Sequence, residues 1–216
     1  MRGAARDLFP IIVLIYAGQG MAASIDAQVR DASGRPVADA VVYAVPVGIT
    51  LEMRGSRTVS IEQLDREFVP YVSVIQTGTQ VDFPNRDPIQ HHVYSFSPAK
   101  TFEFKLYTGK SPGRVIFDKA GVISVGCNIH DWMIAYILVV STPYFAKVDA
   151  AGNAKLRDLR PGTYEVHAWH PLQRGGGPAM ASITLDAAAS TAPAGFNMDV
   201  EPRKARYKPP MDRMRY

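Results

Sequence analysis

The stretch that most constrains this 216-residue chain is Gly126-Cys127-Asn128-Ile129-His130-Asp131-Trp132-Met133. It holds the chain's one cysteine, with a histidine three residues later and a methionine three beyond that, a C-x2-H-x2-M spacing. The flanks, Val115-Ile116-Phe117 and Val122-Ile123-Ser124-Val125 before it and Ile134-Ala135-Tyr136-Ile137-Leu138-Val139-Val140 after it, are rich in β-branched and aromatic residues and read as strands. The loop therefore joins two strands at one end of a sheet. Two buried strands hold such a loop rigid, which suits a metal or binding site at its tip.

A thiolate, an imidazole and a thioether are soft and borderline donors. With one more imidazole they make the ligand set of a copper site, two His and one Cys in a plane with a weak axial Met. The missing imidazole is available upstream at His91-His92, after a strand and the turn Asp87-Pro88-Ile89-Gln90. Neighbours on a strand point to opposite faces, so only one of the two histidines enters a common site. Singly, a lone Cys is more often a small buried hydrophobe and a nearby Met more often core filler. The joint spacing, with an imidazole upstream, is what points to a metal.

These residues resemble the cupredoxins, and within them the amicyanin- and plastocyanin-like proteins; the short loop is similar to amicyanin's. The segment Phe68 to Asp87 is also similar to that family, with its F-x-P…V…G-x-x-V-x-F-x-N-x-D run ahead of the first copper histidine. The resemblance covers roughly residues 58–141 and implies a Greek-key β-sandwich or barrel holding one type 1 copper. His91, Cys127 and His130 would lie in the trigonal plane, with Met133 axial. His92 stands where the family has Asn. On this reading it hydrogen-bonds across to Asn128 and staples the two ligand segments. The edge of His130 would be the electron port at the surface, bordered by Asp131 and Trp132. The family pattern is broken at Asn128, at Ile129 where Pro is common, and at the charged, aromatic tip Asp131-Trp132. The chain as a whole resembles bacterial proteins labelled as methylamine-utilisation-type.

Around this region lies a second pattern. Val29 to Val42 reads V-x-D-x-x-G-x-P-V-x-x-A-x-V, and Asp149 to Val166 carries D-x-x-G…L-x-x-L-x-P-G-x-Y-x-V. Both resemble carboxypeptidase-regulatory-like, transthyretin-type β-sandwiches. The expected architecture is all-β: a small sandwich from residues 24–48 and 142–200, split by the cupredoxin region 58–141, with residues 49–57 as a linker. Strands are expected at 25–30, 38–45, 59–64, 95–105 and 196–200.

Residues 1–23 read as an export signal: Arg2 and Arg6, an apolar run from Leu8 to Ala17, then Gly20-Met21-Ala22-Ala23 for cleavage after Ala22 or Ala23. A periplasmic or secreted location follows, with no stable membrane insertion after cleavage. A single cysteine there forms no internal disulfide and is a liability unless something occupies it. The basic tail 201–216 is expected to be flexible. With 24 Lys+Arg against 20 Asp+Glu the charge excess is mild, and no nucleic-acid module is present. His167 and His170 flank Trp169 without supporting ligands and read as structural. No nucleophile, H-E-x-x-H or phosphate-loop pattern occurs, so an enzyme is not expected. The expected role is a monomeric one-electron carrier between redox proteins, a dehydrogenase or a cytochrome. Copper handling without electron transfer and a β-sandwich interaction module are the alternatives.

Overall fold

The computed structural model describes residues 23–49, 51, 57–175, 177–186 and 191–203. The expected signal, apart from Ala23, lies outside the described residues, as do residues 204–216 of the basic tail and most of the linker. The described chain is all-β. Its strands in order are β1 (Ala23–Arg30), β2 (Val41–Pro46), β3 (Thr58–Ser60), β4 (Glu62–Leu64), β5 (Glu67–Val69), β6 (Val72–Gln76), β7 (Thr79–Asp82), β8 (His91–Ser97) and β9 (Lys100–Tyr107). They continue with β10 (Val115–Phe117), β11 (Gly121–Gly126), β12 (Ile134–Val140), β13 (Phe145–Lys147), β14 (Asn153–Leu159), β15 (Gly162–Trp169), β16 (Ala179–Leu185) and β17 (Thr191–Asn197).

Strands from the two ends of the chain form two sheets, β14-β1-β17 and β13-β2-β15-β16. Alternation along β1 puts Ile25, Ala27 and Val29 inward, where they join Val42, Leu156, Tyr164, Val166 and Phe196 in one core. The Tyr164 hydroxyl donates to the Arg160 carbonyl at 2.8 Å, a tyrosine tying its own Pro-Gly corner together. The middle of the chain forms the sheets β6-β12-β11-β8-β9 and β10-β7-β3 and the hairpin β4-β5. Their core gathers Phe68, Val81, Phe83, Phe117, Ile123, Val125 and Ile137 together with Cys127 and Met133.

β12 explains why Ile134 to Val140 is almost wholly apolar. Ala135, Ile137 and Val139 face the middle core. Leu138 and Val140 face the other way and pack with Val41, Val72 and Trp169. Val41 and Trp169 are register partners on β2 and β15, so the sheet that carries β12 leans on the end-built one.

Several strand limits differ from the sequence expectation. The second strand starts at Val41 rather than Ala38, because Asp39 adopts a left-handed conformation (φ 60°) and turns the chain there. The region 59–64 is two short strands, and β4 turns straight into β5. The last strand is Thr191–Asn197, parallel to β1, rather than 196–200. Its Ala-Pro-Ala-Gly run has low strand propensity, but β17 lies at a sheet edge, where Pro193 forfeits no central ladder bond.

Leu138→Ala removes packing between the two cores and should cost about 2–5 kcal/mol of unfolding free energy. Urea unfolding measures it; an unchanged midpoint would contradict the packing described.

Candidate metal centre

β11 and β12 pair along Gly121–Gly126 and Ile134–Val139 and splay at Cys127–Met133. The loop closes on itself: the Met133 N–H donates to the His130 carbonyl at 2.9 Å and the Cys127 N–H to the Met133 carbonyl at 3.3 Å. A Cβ at Gly126 would sit 3.1–3.3 Å from the Tyr94 side chain of the neighbouring strand, so any larger residue there requires that side chain to shift by a few tenths of an ångström. This close approach brings Cys127 against the first residues of β8.

Among the described residues, His91, Cys127 and His130 are the one set of three or more metal-ligating side chains whose donor atoms converge, all within 4.8 Å of one another. Nδ1 of His91 and Nδ1 of His130 are 3.1 Å apart, and Cys127 Sγ lies 3.6 Å from His130 Nδ1. Metal–nitrogen bonds of about 2.0–2.1 Å and a metal–sulfur bond of about 2.3 Å set donors about 3.2–3.7 Å apart, so the two spacings to His130 come close to this and the widest separation, 4.8 Å, would have to shorten on binding. All three residues are buried, and Met133 is 2% exposed in the same core. His167 and His170 lie elsewhere. The first stacks on Tyr43 at 4.8 Å, and the second accepts the Leu172 N–H on Nδ1 at 3.1 Å.

Burial pushes the Cys127 thiol up, against hydrogen bonds from the backbone N–H groups of His92, Ile129 and His130 that favour the thiolate. Burial lowers His91, opposed by the carboxylate of Asp87. Burial, then the charges of His91 and Arg66, lower His130 to about 4. Near neutral pH both rings are neutral and each keeps a lone pair for a ligand.

Asp87 was not singled out from the sequence. Its Oδ2 lies 2.7 Å from His91 Nε2 and accepts the Arg66 N–H at 2.8 Å, while Oδ1 accepts the Asp65 N–H at 2.7 Å. Burial would raise this carboxyl, but the His91 ring and the two backbone N–H groups together hold it below the usual range. The buried Asn85 carries the segment: its amide donates to the Ile89 and Tyr107 carbonyls, and its Oδ1 accepts the Asp87 N–H. The readable signal is the Asn-x-Asp turn four residues before a histidine.

The β4–β5 turn, Asp65-Arg66, has φ of 53° and 56° at its two central residues. Two-residue hairpin turns of this kind favour Asn-Gly or Asp-Gly. Two non-glycine residues there cost on the order of 1–3 kcal/mol each, which the Asp87 carboxylate offsets by accepting both N–H groups. The Arg66 carbonyl in turn accepts the Trp132 Nε1–H at 3.1 Å, and the Trp132 ring lies 5.1 Å from that of His130.

Two expectations need correction. His92 does not staple to Asn128. Its Nε2 pairs with Glu103 Oε1 at 2.8 Å, and Asn128 is exposed. A register shift between His91 and Val93 frees the His92 N–H from the ladder, and its backbone rather than its ring serves the sulfur. Nor is the His130 edge at the surface. The residue is 1% exposed, and the Trp132 ring, itself bonded to the Arg66 carbonyl, lies 5.1 Å from its ring.

No protein-family model and no curated protein matches the chain. Solved structures match it in part. A copper-containing nitrite reductase from Thermus scotoductus is 23% identical over 45% of this chain and 26% of its own, with a TM-score of 0.38. A reduced amicyanin variant is 15% identical over 38% of this chain and 82% of its own, with a TM-score of 0.36. A purple cupredoxin from Nitrosopumilus maritimus is 20% identical over 38% of this chain and 98% of its own, with a TM-score of 0.34. These are distant, partial likenesses, and the reading of the site rests on its own geometry.

In the metal-free chain His130 should titrate near pH 4, followed by NMR. Trp132→Ala, by admitting water, should move that value up toward 6.5. Because the fold lowers both imidazoles, the unfolded chain takes up protons first as the pH falls. Stability present above about pH 6.5 should therefore decline toward pH 4. A wild-type His130 titrating at its ordinary value would contradict this burial.

Proposed function

We propose that this chain is an exported cupredoxin-type protein holding one type 1 copper and carrying single electrons between partner proteins. The observation that supports it most is the convergence of two imidazole nitrogens and one thiol, all buried, beside a buried Met133. The donor set fits copper better than a hard cation, which would seek carboxylate and carbonyl oxygens. His91, Cys127 and His130 would hold the metal, with Met133 as a further sulfur donor beside them. Copper would supply one-electron chemistry between its +2 and +1 states.

The chain's own part is to hold the donors still and keep water out. The three backbone N–H groups on Cys127 Sγ favour the thiolate and fix its direction. Burial of both imidazoles leaves little room to rearrange between oxidation states, and it opposes the ready metal exchange that copper delivery requires. With His130 covered, the half-buried Trp132 is the group a redox partner would meet, with the exposed Asp131 beside it. We take the flanking β1, β2 and β13–β17 region as a sandwich domain into which the metal domain is inserted. We take residues 1–22 as a cleaved signal; cleavage after Ala22 leaves β1 whole.

The test is the visible spectrum and electron paramagnetic resonance of the Cu(II)-loaded protein. An intense sulfur-to-copper band with narrow hyperfine splitting is expected, and it should vanish in Cys127→Ser. A band that survives that change would sink the assignment. Metal binding at pH 7 should release about one proton, from the Cys127 thiol, since both histidines are already neutral; calorimetry in buffers of different ionisation enthalpy counts it, and zero protons would exclude thiolate ligation. Met133→Leu should keep the copper and raise the potential; loss of copper would refute a merely auxiliary role for Met133.

A further inference from the structure

Asp87 sits where two independent needs meet. It faces the side of the His91 ring away from the converging donors, and it accepts both N–H groups of the strained Asp65-Arg66 turn. Its side chain is 7% exposed. A carboxylate only accepts hydrogen bonds, so the His91 proton is held on Nε2 and Nδ1 is left as the lone pair facing Cys127 and His130. The same carboxylate brings a negative charge close to a site whose other near charge is the cationic Arg66. A second carboxylate–imidazole pair, Glu103 with His92, is nearly as short at 2.8 Å but has an exposed carboxylate and an imidazole outside the donor cluster.

We propose that Asp87 is the positioning residue of the metal centre: one carboxylate that selects Nδ1 of His91 as the donor, strengthens it, and closes the Asp65-Arg66 turn beside His130. This rests on the reading of His91, Cys127 and His130 as a copper site. A negative charge behind a ligand imidazole favours the more highly charged metal, so Asp87 holds Cu(II) more tightly than Cu(I) and sets a low potential. Two functions follow from one side chain, and they are separable. Glycine at position 66 adopts the turn conformation without help, whereas among the described residues Asp87 is the hydrogen-bond partner of His91 Nε2.

The experiment uses the full chain and its Asp87→Asn, Glu103→Gln, Arg66→Gly and Arg66→Gly/Asp87→Asn variants, loaded with Cu(II). Cu(II) affinity and reduction potential are measured in each. Asp87→Asn should weaken Cu(II) binding about 10- to 100-fold. Where Cu(I) binding is spared, each tenfold loss appears as a rise of about 59 mV in potential. Glu103→Gln should leave both unchanged. Arg66→Gly/Asp87→Asn should recover part of the folding stability lost in Asp87→Asn, since Asp65 stays strained, and still show the same shift relative to Arg66→Gly alone. That background keeps the test open should Asp87→Asn fold poorly.

Equal affinity and potential in Asp87→Asn and wild type would overturn the proposal. So would an equal shift in Glu103→Gln, which would make the effect one of general charge. Failure of the copper reading itself looks different: wild type would then lack the sulfur-to-copper band. An independent check needs no metal. Nitrogen-15 NMR of the metal-free wild type should show His91 as the Nε2–H tautomer, and Asp87→Ala should show a mixture. An Nδ1–H tautomer in wild type would contradict the proposal.

Discussion

Burying a thiol and two imidazoles in an apolar core is unfavourable unless each polar atom has a partner. The surroundings of Cys127, His91 and His130 are arranged around that constraint. The sulfur receives three backbone N–H groups, His91 is backed by Asp87, and the Trp132 Nε1–H that lies against His130 is itself bonded to a carbonyl. What converges there is the inward set of donor atoms, Nδ1 facing Nδ1 at 3.1 Å with a sulfur beside them. On the proposed reading, one cation would bind all three at once.

The supporting structure works outward from that point. The C-x2-H-x2-M loop is held by β11 and β12, and Gly126 lets β8 approach closely enough to present His91. β12 is buried on both faces. One face lines the core behind the ligands and the other packs on Trp169 and Val41 of the flanking sheet. Rigidity at the loop thus draws on packing in both cores, which is how a short loop keeps donors in a fixed geometry.

Much of this was legible in the chain. Strand-forming runs on either side of Cys127 marked the β11–β12 hairpin, and the local spacing of Cys127, His130 and Met133 marked the loop. The two-residue period of strands predicted that His91 and His92 diverge, and they do. What escaped depends on contacts distant in sequence. Asp87 meets Asp65 and Arg66 across more than twenty residues. The β4–β5 hairpin lacks a glycine because a distant carboxylate stabilises its turn, so no local turn signal exists. His130 is buried beside Trp132, which that same turn holds through the Arg66 carbonyl, whereas a loop-tip histidine read alone reads as surface-bound. β17 has a poor strand composition and is held by its parallel register with β1.

The most direct test of the account is X-ray absorption at the copper edge on the loaded protein, oxidised and reduced. The account predicts one short sulfur bond and two imidazole nitrogens in both states, with little change in distance between them. A shell of oxygen and nitrogen alone, or a ligand set that changes with oxidation state, would contradict the claim that the buried His91, Cys127 and His130 form one preset copper site.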